Sequence, residues 1–293
     1  MIPRIAVLQD LSCIGRCSLG VAMSVLPAMG LEVAALPTAL LSTHTAFEGF
    51  TFVDLSDELE RIMAHWKSQE MKFNAIYIGY LGSIRLIELA ERFIALFRAD
   101  GAPVILDPAF GDNGALYAGF DGTYVARLRS LCSHADVILP NLTEACFLLD
   151  MPWEDSAECA EQVHTEARRL LGERLQNVLV TSCRFDGDRT GLICAGADEF
   201  VYPHDRLALS CPGSGDLFAS GTVSGPAKEQ RGAFIELTWG GAEPVTVAGQ
   251  QRTFLEDGDE VVLRATAPGA GGARIGFGEA RGRVVAARQG REV

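Results

Sequence analysis

The residues best suited to chemistry lie in one short stretch, Pro-Gly-Ser-Gly-Asp-Leu-Phe-Ala-Ser-Gly, which begins at Pro212. Its glycines predict a turn whose backbone can come close to a ligand and point successive N–H groups at it. The helix predicted to follow would add unpaired N–H donors and the positive end of its dipole. The stretch therefore predicts an anion site suited to a phosphate, formed by Gly213, Ser214 and Gly215.

Asp216 follows these residues directly, at the start of the predicted helix. A carboxylate beside a bound phosphoryl group could take a proton from an attacking hydroxyl, which is the role of a general base. The same residues also fit a simpler structure, a glycine-rich turn in which Asp216 caps a helix. The stretch alone leaves both interpretations open.

Upstream of this stretch, apolar runs typical of buried strands alternate with amphipathic runs typical of helices. This order predicts a parallel sheet with helices on both faces, in which ligands collect beyond the carboxyl ends of the strands. The predicted strands are Ile5–Leu8, Val33–Leu36, Ala75–Ile78, Val104–Leu106, Val137–Leu139 and Val178–Thr181. The amphipathic stretches include Leu55–Trp66, Ile84–Arg98 and Ala157–Leu171.

Polar residues follow the ends of the first three predicted strands. Ser12 comes after the first strand, and Thr45 belongs to a cluster of hydroxyls after the second. Tyr80 follows the third, and its flat ring with a polar tip suits an aromatic ligand. These residues predict one end of a small-molecule site.

Carboxylates, an amide and a hydroxyl follow the next three strands. Asp107, Asn141 and Glu144 could bind Mg²⁺ through water and position phosphates, and Thr181 lies within reach of a phosphate. An ordinary helix start would explain Glu144 equally well. The recurrence of such residues at successive strand ends, followed by the glycine turn, favours nucleotide-dependent phosphoryl transfer.

Composition narrows the class of protein. The chain has 293 residues and a formal net charge of −13, which argues against a nucleic-acid surface or an anionic membrane as partner. No apolar run approaches the length needed to cross a bilayer, and most of the eight cysteines sit in apolar runs, where free cysteine behaves as a small hydrophobe. These features predict a cytoplasmic protein that acts on a small molecule.

The alternation of strand-like and helix-like runs ends near the end of the helix predicted to begin at Asp216. The residues from Gly221 to Pro226 are predicted to stop that helix after about two turns. Short β-prone runs separated by glycine-rich turns follow, which predicts a small antiparallel β unit. Its predicted strands are Phe234–Trp239, Pro244–Val247, Arg252–Leu255, Glu260–Ala265, Arg274–Phe277 and Arg283–Ala286. We therefore expect an α/β part over 1–221 and a β segment over 222–293.

Residues 1 to about 221 resemble the pyridoxal/pyridoxamine kinase branch of the ribokinase-like superfamily. The resemblance implies a ribokinase-like sandwich and ATP-dependent phosphorylation of the 5′-hydroxymethyl group of the vitamin B6 vitamers pyridoxal, pyridoxamine and pyridoxine. Hydroxymethylpyrimidine kinases share this architecture and are an alternative. The matching motifs are Asp10-Leu11-Ser12, Ser42-Thr43-His44-Thr45, Gly79-Tyr80-Leu81-Gly82-Ser83, Asp107-Pro108 with Gly111-Asp112-Asn113-Gly114, Asn141-Leu142-Thr143-Glu144 and Gly213-Ser214-Gly215-Asp216.

The same resemblance implies a role for each matched residue. Asp216 would be the catalytic base, and Gly213, Ser214 and Gly215 the anion hole. The residues implied to contact the pyridine ring are Ser12, Thr45 and Tyr80. The residues implied to serve Mg²⁺ and the ATP phosphates are Asp107, Asn141, Glu144 and Thr181. The cofactors implied are ATP and Mg²⁺ carried by the nucleotide, with a monovalent cation as a further candidate.

Residues from about 215 to 293 resemble the C-terminal end of fumarylacetoacetate hydrolase-family enzymes. The resemblance implies that Thr222 touches substrate and that Glu236 orients a catalytic water. The histidine and metal-binding carboxylates of that family belong to an earlier part, which we do not find here. The matching motifs are the Gly215–Pro226 stretch, Ile235-Glu236-Leu237-Thr238-Trp239, Phe254–Val261 and Arg274–Gly278.

The chain therefore has the sequence of a fusion of two truncated enzymes, and three functional hypotheses follow. The first is a pyridoxal-type kinase, either active or impaired by loss of the elements that close over adenine. The second is a fumarylacetoacetate hydrolase-type C–C hydrolase. The third is a non-catalytic fusion or an artefactual chimera. Resemblance to both families also implies a homodimer.

Overall fold

The computed structural model describes residues 2–45, 47–98, 101–197, 199–206, 212–227, 245–247, 250–252, 260–268 and 274–283. The helices are α1 (Ser18–Ala28), α2 (Ser56–Ser68), α3 (Ile84–Phe97), α4 (Gly122–Cys132), α5 (Leu142–Leu149), α6 (Ala157–Glu166) and α7 (Ser214–Ala227). A 3₁₀ turn over Ala167–Leu170 follows α6. The strands up to residue 206 are β1 (Arg4–Ser12), β2 (Glu32–Leu41), β3 (Phe52–Asp54), β4 (Ala75–Ile78), β5 (Val104–Leu106), β6 (Gly111–Asp112), β7 (Ala115–Leu116), β8 (Val137–Ile138), β9 (Asn177–Phe185), β10 (Arg189–Gly196) and β11 (Phe200–Asp205).

A nine-stranded sheet forms the centre of the molecule, in the order β11-β10-β9-β8-β5-β4-β1-β2-β3. The six strands from β9 to β2 pair in parallel, and β3, β10 and β11 pair antiparallel at the two edges. Because parallel neighbours end at the same edge of a sheet, the carboxyl ends of all six lie together. The predicted parallel sheet is confirmed.

Helices cover both faces of this sheet, as the sequence predicts. Along β1, alternate residues belong to different cores, because successive side chains of a strand point to opposite faces. Ile5 and Val7 pack with α1 and α7, whereas Ala6 and Leu8 pack with the layer that contains α2 to α6. The two cores hold the six strand ends in fixed positions, which is the condition for building a site on them.

Three strands of the sheet, β3, β10 and β11, are absent from the predicted set. Two of them, β3 and β11, are the edge strands of the sheet, and β10 lies between β9 and β11. The residues of β3 are exposed, and those of β11 are exposed after its first residue. Edge strands lack the continuous apolar run that identifies a buried parallel strand, so the prediction missed β3 and β11.

Helix α7 is longer than predicted. It begins at Ser214 and continues through Gly221, Gly225 and Pro226 to Ala227, so the predicted stop after about two turns is wrong. Ala219 and Val223 are buried in the core shared with α1. Burial of an apolar face supplies most of the stability of a helix in a protein, and here it outweighs the unfavourable propensity of the glycines.

Beyond residue 244 the described strands are β12 (Val245–Val247), β13 (Gln250–Arg252), β14 (Glu260–Pro268) and β15 (Arg274–Arg283). They form two antiparallel pairs, β12 with β13 and β14 with β15. The predicted strand Phe234–Trp239 lies outside the described residues, as do most of Arg252–Leu255 and most of Arg283–Ala286. Within the described part of the chain, no helix is both long and apolar enough to cross a membrane.

Candidate active site

A large cavity opens at the carboxyl ends of the parallel strands, and its volume is about 1320 Å³. It lies where the fold predicts a ligand site. Eleven of the predicted site residues line it: Ser12, Thr45, Tyr80, Asp107, Asn141, Glu144, Thr181, Gly213, Ser214, Gly215 and Asp216. Residues from six separate strand ends and from the start of α7 thus converge on one space.

The glycine turn forms one wall of this cavity and leads into α7. Gly213 has a φ of +84°, in the left-handed region that favours glycine, and the N–H of Leu217 donates to its carbonyl at 3.0 Å. A Cβ on Gly213 would lie 2.0 Å from the carbonyl oxygen of Arg16. The turn therefore needs glycine here, and it presents the first N–H groups of α7 to the cavity.

Asp216 lies in the first turn of α7 and lines the cavity. Burial, together with the nearby charge of Asp10, raises the pKa of its carboxyl to about 6. The backbone N–H of Ser18, at the start of α1, donates to the carboxyl and opposes this rise. A carboxylate whose pKa lies this close to neutrality is well placed to accept a proton.

Glu144 is almost fully buried and holds two segments of the wall together. Its carboxylate accepts from the N–H of Asn141 at 2.8 Å and from that of Phe110 at 2.9 Å. The Asn141 side chain accepts from the N–H of Glu144 at 2.9 Å, which completes a capping box at the start of α5. The helix-start interpretation of Glu144 is therefore confirmed, and the same residue also lines the cavity.

Burial and neighbouring carboxylates raise the pKa values of the acidic groups on this side of the cavity. Burial raises the pKa of Asp107 well above its usual range, and the charges of Glu144 and Asp216 add to the rise. Burial likewise raises the pKa of Glu144 to about 8, against the opposing effect of its backbone donors. This end of the cavity favours a cation or a proton.

Asn141 and Thr181 are neighbours across the sheet. They form a parallel bridge just beyond β8, and the N–H of Thr181 donates to the carbonyl of Pro140 at 2.9 Å. The Asn141 side chain also donates to the carbonyl of Gly111 at 2.8 Å. The structure thus fixes two of the residues predicted to serve the nucleotide side by side.

Hydroxyls and aromatic rings line the part of the cavity near β1, β2 and β4. The hydroxyl of Ser12 donates to the carboxylate of Asp10 at 3.5 Å. Burial raises the pKa of Tyr80 to about 12, so its hydroxyl is neutral, and its ring lies 5.9 Å from that of Phe120 between centroids. A flat ring with nearby polar groups suits a small aromatic ligand.

Thr222, taken from the hydrolase resemblance, does not join this site. Thr222 is buried in α7, and its hydroxyl donates to the carbonyl of Phe218 at 3.0 Å instead of facing the cavity. Glu236 lies outside the described residues. Residues 215–226 are helical, as the kinase hypothesis requires, and not extended, as the hydrolase hypothesis requires.

Several cavity residues escaped the sequence analysis. Asp10 stands two residues before Ser12 in a quoted motif, and its position at the end of β1 could have identified it. Arg184 lies in β9 and Asp155 precedes α6, and no sequence signal connects them with the site. Arg184 lines the cavity because β9 extends past Thr181, and Asp155 lines it beside Arg184, to which it is ion-paired at 3.0 Å.

The donors present fit a metal ion that arrives with a nucleotide. Among the described residues, no group of three or more His, Cys, Asp or Glu side chains is arranged to hold a metal ion. Asp107 and Glu144 nevertheless offer the hard oxygen ligands that Mg²⁺ prefers, and Mg²⁺ commonly binds through one or two carboxylates plus substrate phosphates. These two residues would hold it, directly or through water.

The parallel sheet, the strand-end cavity and the helix-start aspartate define a ribokinase-like α/β kinase. A family model described as phosphomethylpyrimidine kinase matches residues 28–232. The chain belongs to this family.

Solved structures agree with this assignment. The chain is 39% identical to a protein from Bacteroides thetaiotaomicron assigned as a phosphomethylpyrimidine kinase, with a TM-score of 0.74 over 78% of this chain and 80% of that one. It is 33% identical to pyridoxal kinase from Lactobacillus plantarum, with a TM-score of 0.71 over 78% of this chain and 81% of that one. The predicted resemblance to this group of kinases is confirmed.

The C-terminal part of the chain is similar to a different enzyme. It is 50% identical over 74 residues to human fumarylacetoacetase and 49% identical over 73 residues to that of Oryza sativa subsp. japonica. Each match takes 25% of this chain but spans only 17% of the relative's length. The predicted combination of two families in one chain is therefore confirmed.

Proposed function

We propose that this protein transfers the γ-phosphoryl group of ATP to the 5′-hydroxymethyl group of pyridoxal, pyridoxamine or pyridoxine. The observation that carries the proposal is the place of Asp216. Its carboxyl lies in the first turn of α7, beside the glycine turn and in the same cavity as Tyr80 and Ser12. The residues proposed as base, anion site and aromatic pocket thus line one space.

In the proposed reaction, the substrate hydroxyl attacks the γ-phosphorus and ADP leaves. The carboxylate of Asp216 accepts the hydroxyl proton as the new P–O bond forms. The N–H groups of Gly213, Ser214 and Gly215 and the positive end of α7 stabilise the charge on the phosphoryl oxygens. Bound with the nucleotide at Asp107 and Glu144, Mg²⁺ would neutralise part of the phosphate charge.

The choice of acceptor rests on the relatives. A second crystal form of the Bacteroides protein, 38% identical to this chain, was solved with pyridoxal. The family model is described as phosphomethylpyrimidine kinase, and the unphosphorylated hydroxymethyl form of that pyrimidine is the second candidate acceptor. Both acceptors present an aromatic ring with a primary hydroxyl, which the hydroxyl-rich end of the cavity suits. We place pyridoxal first because the Bacteroides protein was solved with pyridoxal and the Lactobacillus relative is a pyridoxal kinase.

A coupled assay of ADP release tests the reaction. We expect turnover with ATP and pyridoxal, and a higher kcat/KM for pyridoxal than for hydroxymethylpyrimidine. The residues after α7 resemble another family, so we also expect affinity for ATP to be reduced more than affinity for pyridoxal, relative to the Lactobacillus enzyme. Folded protein without turnover on either acceptor would overturn the proposal, and equal loss of both affinities would contradict the second expectation.

The pH dependence of the rate gives a separate prediction. Because burial raises the pKa of Asp216 to about 6, kcat/KM is expected to fall below pH 6, by about tenfold per pH unit once the base is mostly protonated. Removing the charge of Asp10 in Asp10→Asn should move this acid limb to lower pH. The pH–rate profiles of the wild type and of Asp10→Asn measure both effects. An acid limb of the wild type near pH 4, the usual range of an aspartate, would contradict the prediction.

A further inference from the structure

The cavity has an excess of negative charge. Seven carboxylates line it, and among the described residues the only lysine or arginine side chains that do so are Arg184 and Arg206. A nucleotide polyphosphate is itself strongly anionic, so entry into this space needs cationic contacts in addition to the glycine turn. The half-buried Arg184 is the more enclosed of the two arginines, since Arg206 is exposed.

A bulge in β9 aims Arg184 at the cavity. The pairing with β10 shifts register between Gly191 and Ile193, and the extra residue on the β9 side falls in the segment that contains Ser182. Ser182 has a φ of +58°, a left-handed conformation that is uncommon for any residue except glycine. Bulges of this kind re-aim side chains and are frequent beside active sites.

The bulge puts three polar side chains on one wall. Thr181, Ser182 and Arg184 all line the cavity, whereas Cys183 between them is fully buried on the other side. An uninterrupted strand would have sent adjacent residues to opposite faces. Two hydroxyls and one guanidinium group on a single wall make a donor set suited to phosphate oxygens.

Two exposed carboxylates hold Arg184. Its guanidinium group lies 3.0 Å from the carboxylate of Asp155 and 3.7 Å from that of Asp188. The Arg184 side chain is 22% exposed, against 52% for Asp155 and 83% for Asp188. Ion pairs with solvated carboxylates contribute little to stability, whereas arginine binds phosphate oxygens in a bidentate and stronger way.

We propose that Arg184 is the polyphosphate-binding cation of this site, and that it exchanges its ion pairs with Asp155 and Asp188 for the nucleotide. The inference rests on the proposed function and extends it to a residue of β9. Thr181 and Ser182 donate to the same phosphates. Arg184 then gives selectivity for nucleoside di- and triphosphates over the nucleoside.

Calorimetric titration of the full-length protein tests this assignment. The probes are Mg-ATP, adenosine and Mg-tripolyphosphate, which lacks a base and so does not depend on the adenine side. In Arg184→Gln we expect affinity for both phosphate probes to fall about 10- to 100-fold, with adenosine unchanged. In Asp155→Asn we expect affinity for Mg-ATP to rise about two- to fivefold, because a competing anion is removed.

The matched control is Arg92→Gln, which removes a guanidinium group that pairs with Glu60 at 2.6 Å on the surface, away from the cavity lining. It should leave all three affinities unchanged. Arg184→Lys should keep part of the affinity for the two phosphate probes. This partial retention would show that the loss in Arg184→Gln comes from the missing charge and not from misfolding.

Each outcome of the titrations decides the assignment. Unchanged affinity for both phosphate probes in Arg184→Gln overturns it, and so does an equal loss for adenosine. Wild-type protein that binds neither phosphate probe overturns the proposed function together with this inference.

Discussion

Replacing Asp216 by asparagine is expected to lower kcat by about 10²- to 10⁴-fold, with a much smaller effect on the KM values. The amide has nearly the same shape as the carboxylate but cannot accept the proton of the substrate hydroxyl. Because Asp216 lies in the first turn of α7 and lines the cavity, the change acts at the reacting atoms. Single-turnover and steady-state rates with ATP and pyridoxal measure it.

Stability serves as the control for this variant. The folded state raises the pKa of Asp216 from the usual range of an aspartate to about 6, mainly by burial. A raised carboxyl pKa means that ionisation opposes folding, and this penalty grows as pH rises through the folded pKa. Asp216→Asn should therefore be at least as stable as the wild type at pH 8. Undiminished turnover in the folded variant would remove Asp216 from the mechanism.

Replacing Gly213 by alanine is expected to abolish most of the activity by moving the anion-binding turn. The new Cβ would lie 2.0 Å from the carbonyl oxygen of Arg16 and 3.3 Å from the Cα of Cys17, so the backbone there has to shift. The next residue is Ser18, whose N–H donates to Asp216. A displacement of about 1 Å in such a site can cost about 10²-fold in rate, and we expect at least that loss in kcat/KM.

Gly30→Ala is the matched control for Gly213→Ala. Gly30 has a similar left-handed φ of +78°, but a Cβ there would meet nothing within 4 Å. Gly30→Ala should lower the free energy of unfolding by about 1–2 kcal/mol, which is the cost of the backbone conformation alone. It should leave kcat/KM unchanged. Denaturant unfolding and Mg-tripolyphosphate titration separate the two effects. Equal activity in both alanine variants would show that the turn does not form the anion site.

Part of the site could be predicted because its signals are local. The order of apolar runs predicted the parallel strands, and parallel strands bring their carboxyl ends to one edge. That rule alone placed Asp107, Asn141 and Thr181 in one cavity. The Asn141-Leu142-Thr143-Glu144 motif likewise predicted a helix start, and the structure forms it as a capping box.

The errors arose where distant contacts outweigh local preference. Helix α7 crosses Gly221 and Gly225 because its buried face packs on α1 and the sheet, which no window of ten residues reveals. Thr222 turns into that helix and away from the cavity for the same reason. The edge strands were missed because pairing with a neighbour, and not apolar character, makes them strands.

By itself, the sequence determined the class of this protein: a parallel α/β kinase whose glycine turn and Asp216 follow a series of polar strand ends, joined to a segment similar to another family. Those features are carried by neighbouring residues, whose spacing fixes turns, helix starts and strand order. Only the tertiary structure decided the electrostatics of the site. The raised pKa of Asp216 depends on its burial in the folded chain and on the charge of Asp10 in β1. The place of Arg184 depends on a bulge between β9 and β10 and on carboxylates from two other segments, contacts that adjacent residues do not encode.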